Sequence, residues 1–240
     1  MINRLDKELY RRNLAKSRTT AAELITNNAV TVNGSLCNKV SQAVNEDDII
    51  EISDKVIDTL RYVSRAGLKL EQAVLHYNLD LNGKICLDIG ASTGGFTDCM
   101  LKYGARRVFA VDVGTSQLAD SLRRDPRVVS VEQCDIREFI APVKAEFIAV
   151  DVSFISVKLI LPKLKELADN GADAVVLVKP QFELGRRHKG VITESKVRNK
   201  IVDEVATFAK SSGLLVKGLC ESSVVGKSGN REYLMWLGID

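Results

Sequence analysis

The sequence predicts an α/β chain: an open, mainly parallel sheet interleaved with helices, preceded by a small α+β module. Three observations carry this expectation. Residues 85–97, Ile-Cys-Leu-Asp-Ile-Gly-Ala-Ser-Thr-Gly-Gly-Phe-Thr, pass from a short apolar run into a glycine turn and then a helical pattern. Further short apolar runs at 107–111, 128–131, 147–150 and 174–178 are each followed closely by a charged residue, with turns and helical patterns between them. Ahead of these, residues 3–52 read as helix, helix, hairpin and closing strand. A length of 240 residues fits one large domain or two smaller ones. The polar stretch at 53–65 is a natural linker, so the expected division is 1–58 and 59–240.

Composition narrows the possibilities. At 45% hydrophobic and 27% charged residues the chain is ordinary for a globular protein. No apolar run approaches the roughly 20 residues of a membrane span, and no secretory pattern opens the chain. The five cysteines, Cys37, Cys86, Cys99, Cys134 and Cys220, are scattered and form no Cys-x-x-Cys, so reduced thiols in a cytoplasmic protein are expected, with no metal site. His76 and His188 are the only histidines, which argues against a His-based metal centre or a Ser–His–Asp triad. A formal net charge of +3 identifies no partner by itself; the placement of charge says more.

From Asn3 to Arg18 the basic residues Arg4, Lys7, Arg11, Arg12, Lys16 and Arg18 outnumber Asp6 and Glu8. Leu5, Leu9 and Leu14 form the apolar stripe of a first helix. Ser17 is a suitable N-cap for a second, running through Ile25. Val30 to Val32 leads into Asn33-Gly34, a strong hairpin signal, and Ile49, Ile50 and Ile52 supply a closing strand. A charge run alone is more often a solvated face. The order Arg-Leu-Asp at 4–6, Ser-Arg at 17–18 and Val-x-Val-Asn-Gly at 30–34, however, resembles the S4 RNA-binding module. That resemblance implies RNA backbone contacts for Arg4, Arg11, Arg12, Lys16 and Arg18, with Lys39 a weaker candidate. Phosphate contacts position without reading sequence.

At 85–97 the glycines let backbone approach a ligand closely. The dinucleotide pattern G-x-G-x-x-G is absent, because Ala91 and Ser92 follow Gly90. Asp88 would repel a pyrophosphate and attract a cation. Asp112, after the 107–111 run, stands where an acid can accept from ribose hydroxyls. Asp135, in Cys134-Asp135-Ile136, could take an adenine amino group. Any one of these acids alone could be a turn former. The series resembles the S-adenosylmethionine-dependent methyltransferases with a Rossmann-like sheet. The cofactor residues implied are Asp88, Gly90, Ser92, Thr93, Gly94, Gly95, Phe96, Thr97, Asp112, Asp135 and Ile136.

The rest of the chain supplies candidates for chemistry. Leu68, Ala73, Val74 and Leu75 suggest a helix carrying Lys69. The 147–150 run ends at Asp151, and a helical stretch follows over 157–167, with Pro162 near its start or at a kink. Ala-Val-Val-Leu-Val at 174–178 meets Lys179, with Pro180 ending the strand. A basic loop at 184–190 carries Arg186, Arg187 and Lys189. An amphipathic helix at 196–208 precedes a terminal strand pair at 214–220 and 233–237, with Glu232 in the loop between them. Singly, Lys69 and Glu232 read as surface residues; Lys179, at the end of a buried strand, does not.

The motifs Asp-Ile-Gly-Ala-Ser-Thr-Gly-Gly-Phe-Thr at 88–97, Val-Lys-Pro-Gln-Phe-Glu at 178–183 and Gly-Asn-Arg-Glu-Tyr at 229–233 resemble the FtsJ-like ribose methyltransferases. With the S4-like module ahead, the whole chain resembles the TlyA/haemolysin A family. That resemblance implies 2′-O-methylation of ribosomal RNA, free or in subunits, with S-adenosylmethionine as donor. It implies catalytic roles for Lys69, Asp151, Lys179 and Glu232, and Arg65, Arg186, Arg187 and Lys189 are expected to meet RNA. Two rival functions stand beside it: a non-catalytic RNA-binding or ribosome-assembly protein, and a membrane-lytic protein. No membrane-binding helix is evident in the sequence.

Overall fold

The structure is a computed structural model and describes residues 2–15, 17–26, 28–53, 61–185, 190–226 and 229–240. The chain divides into two compact units, Met1–Arg61 and Tyr62–Asp240. The boundary expected at 58/59 lies outside the described residues.

The N-terminal unit opens with β1 (Asn3–Arg4) and α1 (Leu5–Arg11). The first helix is shorter than its leucine stripe suggests. Asn13 takes a left-handed φ of 58°, and the Leu14 amide turns back to the Leu9 carbonyl at 2.9 Å, so Leu14 packs from outside the helix. Helix α2 (Arg18–Thr26) starts as expected: the Ser17 hydroxyl accepts the Thr20 amide at 3.1 Å. Strands β2 (Val30–Val32) and β3 (Ser35–Cys37) form the hairpin. Asn33 and Gly34 both have positive φ, 51° and 76°, as the tight turn matching strand twist requires. Strand β4 (Ala43–Val44) pairs with β1, and β5 (Ile50–Ile52) pairs with β2. Leu5, Leu9, Leu24, Ile25 and Val30 close the small core.

The C-terminal unit begins its regular structure with α3 (Ala66–His76). It continues through β6 (Ile85–Ile89), α4 (Gly95–Lys102), β7 (Arg107–Val111), α5 (Asp120–Arg123), β8 (Val128–Val131) and β9 (Ala145–Val150). Then come α6 (Leu164–Leu167), β10 (Ala168–Val178), α7 (Pro180–Glu183), α8 (Ser195–Ser211), β11 (Leu215–Glu221) and β12 (Tyr233–Ile239). The seven-stranded sheet has the order β11-β12-β10-β9-β6-β7-β8. Strands β6 to β10 run parallel, and β12 is antiparallel to both β10 and β11.

Alternation along the strands builds two apolar layers. Cys86, Phe147, Ala149, Val175 and Leu177 face one layer with Leu70 and Val74 of α3 and Phe96 and Met100 of α4. Leu87, Ile89, Ile148, Val150, Val176 and Val178 face the other, with Val202, Val205 and Ala209 of α8. Leu75 falls outside the expected stripe and is exposed.

Two segments differ from the sequence expectation. Residues 157–167 break into short 3₁₀ turns at Val157–Leu159 and Leu161–Lys163 before α6. Pro162 lacks the amide that a continuous helix needs there. Strand β10 starts six residues earlier than its apolar run, at Ala168 rather than Ala174. Its first part carries Asp169-Asn170-Gly171 and a register shift against β9, polar features that hide a strand from pattern reading.

Candidate active site

Sheet order gathers the expected residues at one edge. The chain leaves β6 toward β7 and β8, then returns to build β9 and β10 on the other side of β6. Ligands in open α/β sheets bind at such a reversal, outside the carboxyl ends of the strands. Asp88 lies in β6, and Asp112, Asp151 and Lys179 directly follow β7, β9 and β10. Glu232 precedes β12, and Tyr233 pairs with Val178. Because β12 is antiparallel, its beginning meets the end of β10, so Glu232 joins the same edge.

Asp88 is fully buried. Its Oδ2 accepts the Thr97 amide at 2.8 Å and the Thr97 hydroxyl at 2.6 Å. Its Oδ1 is buried and has no hydrogen-bond partner. Burial pushes the carboxyl up to about 7, against the Thr97 hydrogen bonds and with help from the charges of Asp151 and Asp112. A cavity of about 180 Å³ is bordered by Asp88, Gly90, Ser92, Thr93, Gly95, Phe96, Asp151, Ser153 and Lys179, with Ser64 and Ala66 also on its wall. Gly90 has φ +84°, and a Cβ there would lie 2.6 Å from the Asp151 carbonyl; only glycine lets these strand ends close up. The donor set is acidic at its base and contains an unpartnered carboxylate oxygen. It suits a ligand carrying an ammonium and a second positive centre, which fits S-adenosylmethionine.

Asp112 borders a second, much smaller cleft of about 10 Å³ with Ser92, Gly114 and Gln117. Its oxygens accept the Ser92 amide at 2.8 Å and the Gly114 amide at 2.7 Å, which fixes the loop and aims the carboxylate. Three expected cofactor residues take other positions. The Asp135 carboxylate is clasped by the Arg137 guanidinium through both oxygens, and that pairing holds its pKa down at about 2. Ile136 is buried in the apolar core. A Cβ on Gly94 would meet Leu122 at 2.3 Å and Leu118 at 2.7 Å, so this glycine serves packing and the turn into α4, at φ +93°.

The expected polar four resolve into two pairs. Lys179 Nζ lies 2.6 Å from Asp151 Oδ1 as an ion pair and donates to the Ser153 hydroxyl at 2.8 Å. Lys69 Nζ lies 2.6 Å from Glu232 Oε2, both side chains buried. Gln181 Nε2 reaches Glu232 Oε1 at 3.5 Å. Gln181 lies within the 178–183 motif, which does not single it out. Ser153 and Ser64 carry no sequence signal that would have selected them. Neither does Phe154, which is 79% exposed at a φ of 68° that bulky residues avoid. Its ring lies 5.2 Å from that of Phe182, above which Lys179 sits at 5.7 Å.

The basic residues also separate. Arg4, Arg11 and Arg18 are exposed, as are Lys39 and Arg65. Arg12 departs from its expected role. It bonds Glu8 at 2.7 Å and the carbonyls of Asp48, Asn45 and Glu46, and its side chain is only 23% exposed. Those partners make it a fastener of the fold rather than a free RNA ligand. Lys16, Arg186, Arg187 and Lys189 lie outside the described residues.

Known proteins match the chain over most of its length. Residues 62–239 match the family described as FtsJ-like methyltransferase, and residues 3–50 match the S4 domain. The chain is 42% identical to the "16S/23S rRNA (cytidine-2'-O)-methyltransferase TlyA" of Mycobacterium tuberculosis, over 98% of this chain and 89% of that protein. It is 39% identical to "Hemolysin A" of Brachyspira hyodysenteriae, over 96% and 98%. A solved structure, "Putative hemolysin from Streptococcus thermophilus", superposes with a TM-score of 0.76 at 41% identity, covering 99% of this chain and 88% of that one.

Proposed function

The chain belongs to the FtsJ-like methyltransferase family, with an S4 domain ahead of the catalytic unit, and on that premise we propose that it methylates ribose 2′-hydroxyls of ribosomal RNA, using S-adenosylmethionine. The observation that carries this reading is a single cavity. It is bordered by Asp88, whose Oδ1 is unpartnered, and by Lys179 and Asp151, so a cationic donor and a hydroxyl acceptor can meet. The relatives named for cytidine-2′-O-methylation of 16S and 23S rRNA support the substrate class. A protein that modifies ribosomal RNA would act in the cytoplasm. No helix among the described residues is long and apolar enough to cross a membrane.

The residues divide the work. S-adenosylmethionine, when bound, supplies a methyl group activated by a positive sulfur. Asp88 Oδ1 accepts from the ligand's ammonium, and its Oδ2 stays locked by Thr97. Asp112 receives the ribose hydroxyls in the adjoining cleft. Gly90 lets the chain after β6 close against Asp151, and Gly95 leaves room for Ser64 and Ala66 on the cavity wall. Lys179 is held from two directions, by Asp151 and Ser153, so its remaining proton is aimed rather than freely rotating. As an ammonium Lys179 can only donate, so it would orient the 2′-oxygen toward the methyl group, and the proton released on transfer would go to the Asp151 carboxylate and from there to solvent. Orientation of this kind can supply roughly 7–11 kcal/mol of a barrier. Lys69 and Glu232, a buried pair linked to Gln181, support the acceptor side. Phe154 offers an exposed ring beside Phe182 against which a nucleobase can stack.

The test is methyl transfer from labelled S-adenosylmethionine to purified ribosomal subunits and free rRNA that lack the modification, followed by mapping of ribose methylation. Label in a 2′-O-methylnucleoside is the expected result. Label only in a base, or none in any rRNA, would reject the reading.

A further inference from the structure

Two arginines of the N-terminal unit share one buried carboxylate. Asp6, in the first turn of α1, is 3% exposed. Its Oδ1 accepts Arg4 Nε at 3.0 Å, and its Oδ2 accepts Arg18 Nε at 3.2 Å and Nη2 at 2.6 Å. Arg4 precedes α1 and Arg18 begins α2, so the carboxylate ties together the starts of two helices. The arginine side chains nevertheless remain 55% and 57% exposed. Arg4 commits only Nε, and Arg18 commits Nε and one Nη; their other N–H groups have no partner among the described residues.

The neighbouring carboxylate shows that this is not the fate of every arginine here. Glu8, also buried, holds Arg11 and Arg12. Arg12 then satisfies backbone carbonyls of the 45–48 turn and lies inward. Arg4 and Arg18 have no such second anchor, so their free donors point away from the fold. A guanidinium is a planar fork suited to phosphate oxygens, and fixing it before contact lowers the ordering cost of binding.

We propose that Asp6 is a positioning residue that holds Arg4 and Arg18 as one preformed clamp for the RNA phosphate backbone. The clamp rests on the reading of the chain as an RNA-modifying enzyme and adds to it how the N-terminal unit grips its substrate. A carboxylate on an RNA-binding face is otherwise a liability, because it repels phosphate. That gives the idea a sign. If Asp6 acted only through its charge, removing the charge would tighten RNA binding; if it sets the clamp, removal weakens it.

The experiment uses the full chain and transcribed 23S rRNA. Asp6→Asn keeps the shape and removes the charge. The expected result is a 5- to 20-fold weaker RNA Kd, with unchanged S-adenosylmethionine affinity and unchanged single-turnover rate at saturating RNA. In an Arg4→Ala/Arg18→Ala background, Asp6→Asn should cause no further weakening. Arg4→Lys/Arg18→Lys, which keeps both charges and loses the forks, should weaken binding by a similar factor and decides the matter if Asp6→Asn does not fold. Equal or tighter RNA binding by Asp6→Asn would overturn the clamp, as would the same loss in the arginine-free background or parental affinity in the lysine pair. If the parent protein itself neither binds nor methylates rRNA, the enzyme reading fails; if the parent does both while the variants keep its affinity, only the clamp fails.

Discussion

Acidification should weaken S-adenosylmethionine binding through Asp88. In the ligand-free protein this carboxyl titrates at about 7, raised from 3.8 chiefly by burial. The ligand's ammonium requires the charged carboxylate, so below pH 7 binding must first displace a proton. Affinity then falls about tenfold per pH unit: roughly tenfold below its plateau at pH 6 and a hundredfold at pH 5. The ligand's own α-amino group, with a reference pKa of about 7.7–8.0, sets the alkaline limb, so affinity peaks between about pH 7 and 8. Calorimetry in two buffers of different ionisation enthalpy reads the coupling directly; about 0.9 proton should be released per ligand bound at pH 6. The same shift has the opposite sense for stability. An acid whose pKa rises on folding makes the folded state hold more protons than the unfolded state. Ligand-free stability therefore declines as pH rises from about 4 to about 7, by up to roughly 4 kcal/mol. Asp88→Asn should remove that decline and raise Tm at pH 8, while abolishing the stabilisation that the ligand confers. Constant affinity from pH 5.5 to 7.5 with no buffer dependence, or an acid limb that survives in Asp88→Asn, would refute the assignment of Asp88 as the ammonium partner.

Three further outcomes follow from the same geometry. Lys179→Ala should cut single-turnover methyl transfer by about 10²–10⁴-fold with near-parental cofactor affinity. Lys179→Arg should not restore it, because a guanidinium cannot occupy the position between Asp151 and Ser153; transfer at the parent rate in either variant removes Lys179 from the chemistry. Lys69→Met should lower stability by about 3–5 kcal/mol by stranding Glu232, and adding Glu232→Leu should restore Tm but not methyl transfer. A fully active double variant would make that pair structural only. Arg12→Ala should lower the melting temperature of the N-terminal unit more than Arg11→Ala does, since Arg12 bonds three backbone carbonyls of the 45–48 turn whereas Arg11 reaches that turn only through the exposed Glu46 carboxylate; equal melting temperatures would contradict its role as a fastener.

What the sequence by itself determined is local. The runs 85–89, 107–111, 128–131 and 174–178 announce strands because alternation and burial are properties of consecutive residues. Asn33-Gly34 announces a turn because both residues tolerate positive φ. Asp88, Asp112, Asp151 and Lys179 could be placed at strand ends, and the motifs around them resemble one family. The helical stretch over 157–167 breaks into short turns around Pro162, and β10 begins at Ala168, before its apolar run, because a proline and a glycine-containing polar run obscure the periodicity. Which residues would meet was settled only by tertiary structure. Lys69 and Glu232 stand 163 residues apart and pair because β12 enters the sheet antiparallel beside β10. Arg11 and Arg12 are adjacent and chemically identical, yet only one is drawn inward, by carbonyls more than 30 residues away. The Asp88 oxygens differ only because Thr97 reaches one of them. Pairing energies depend on distance and burial, and those are set by how strands and helices stack rather than by neighbours along the chain.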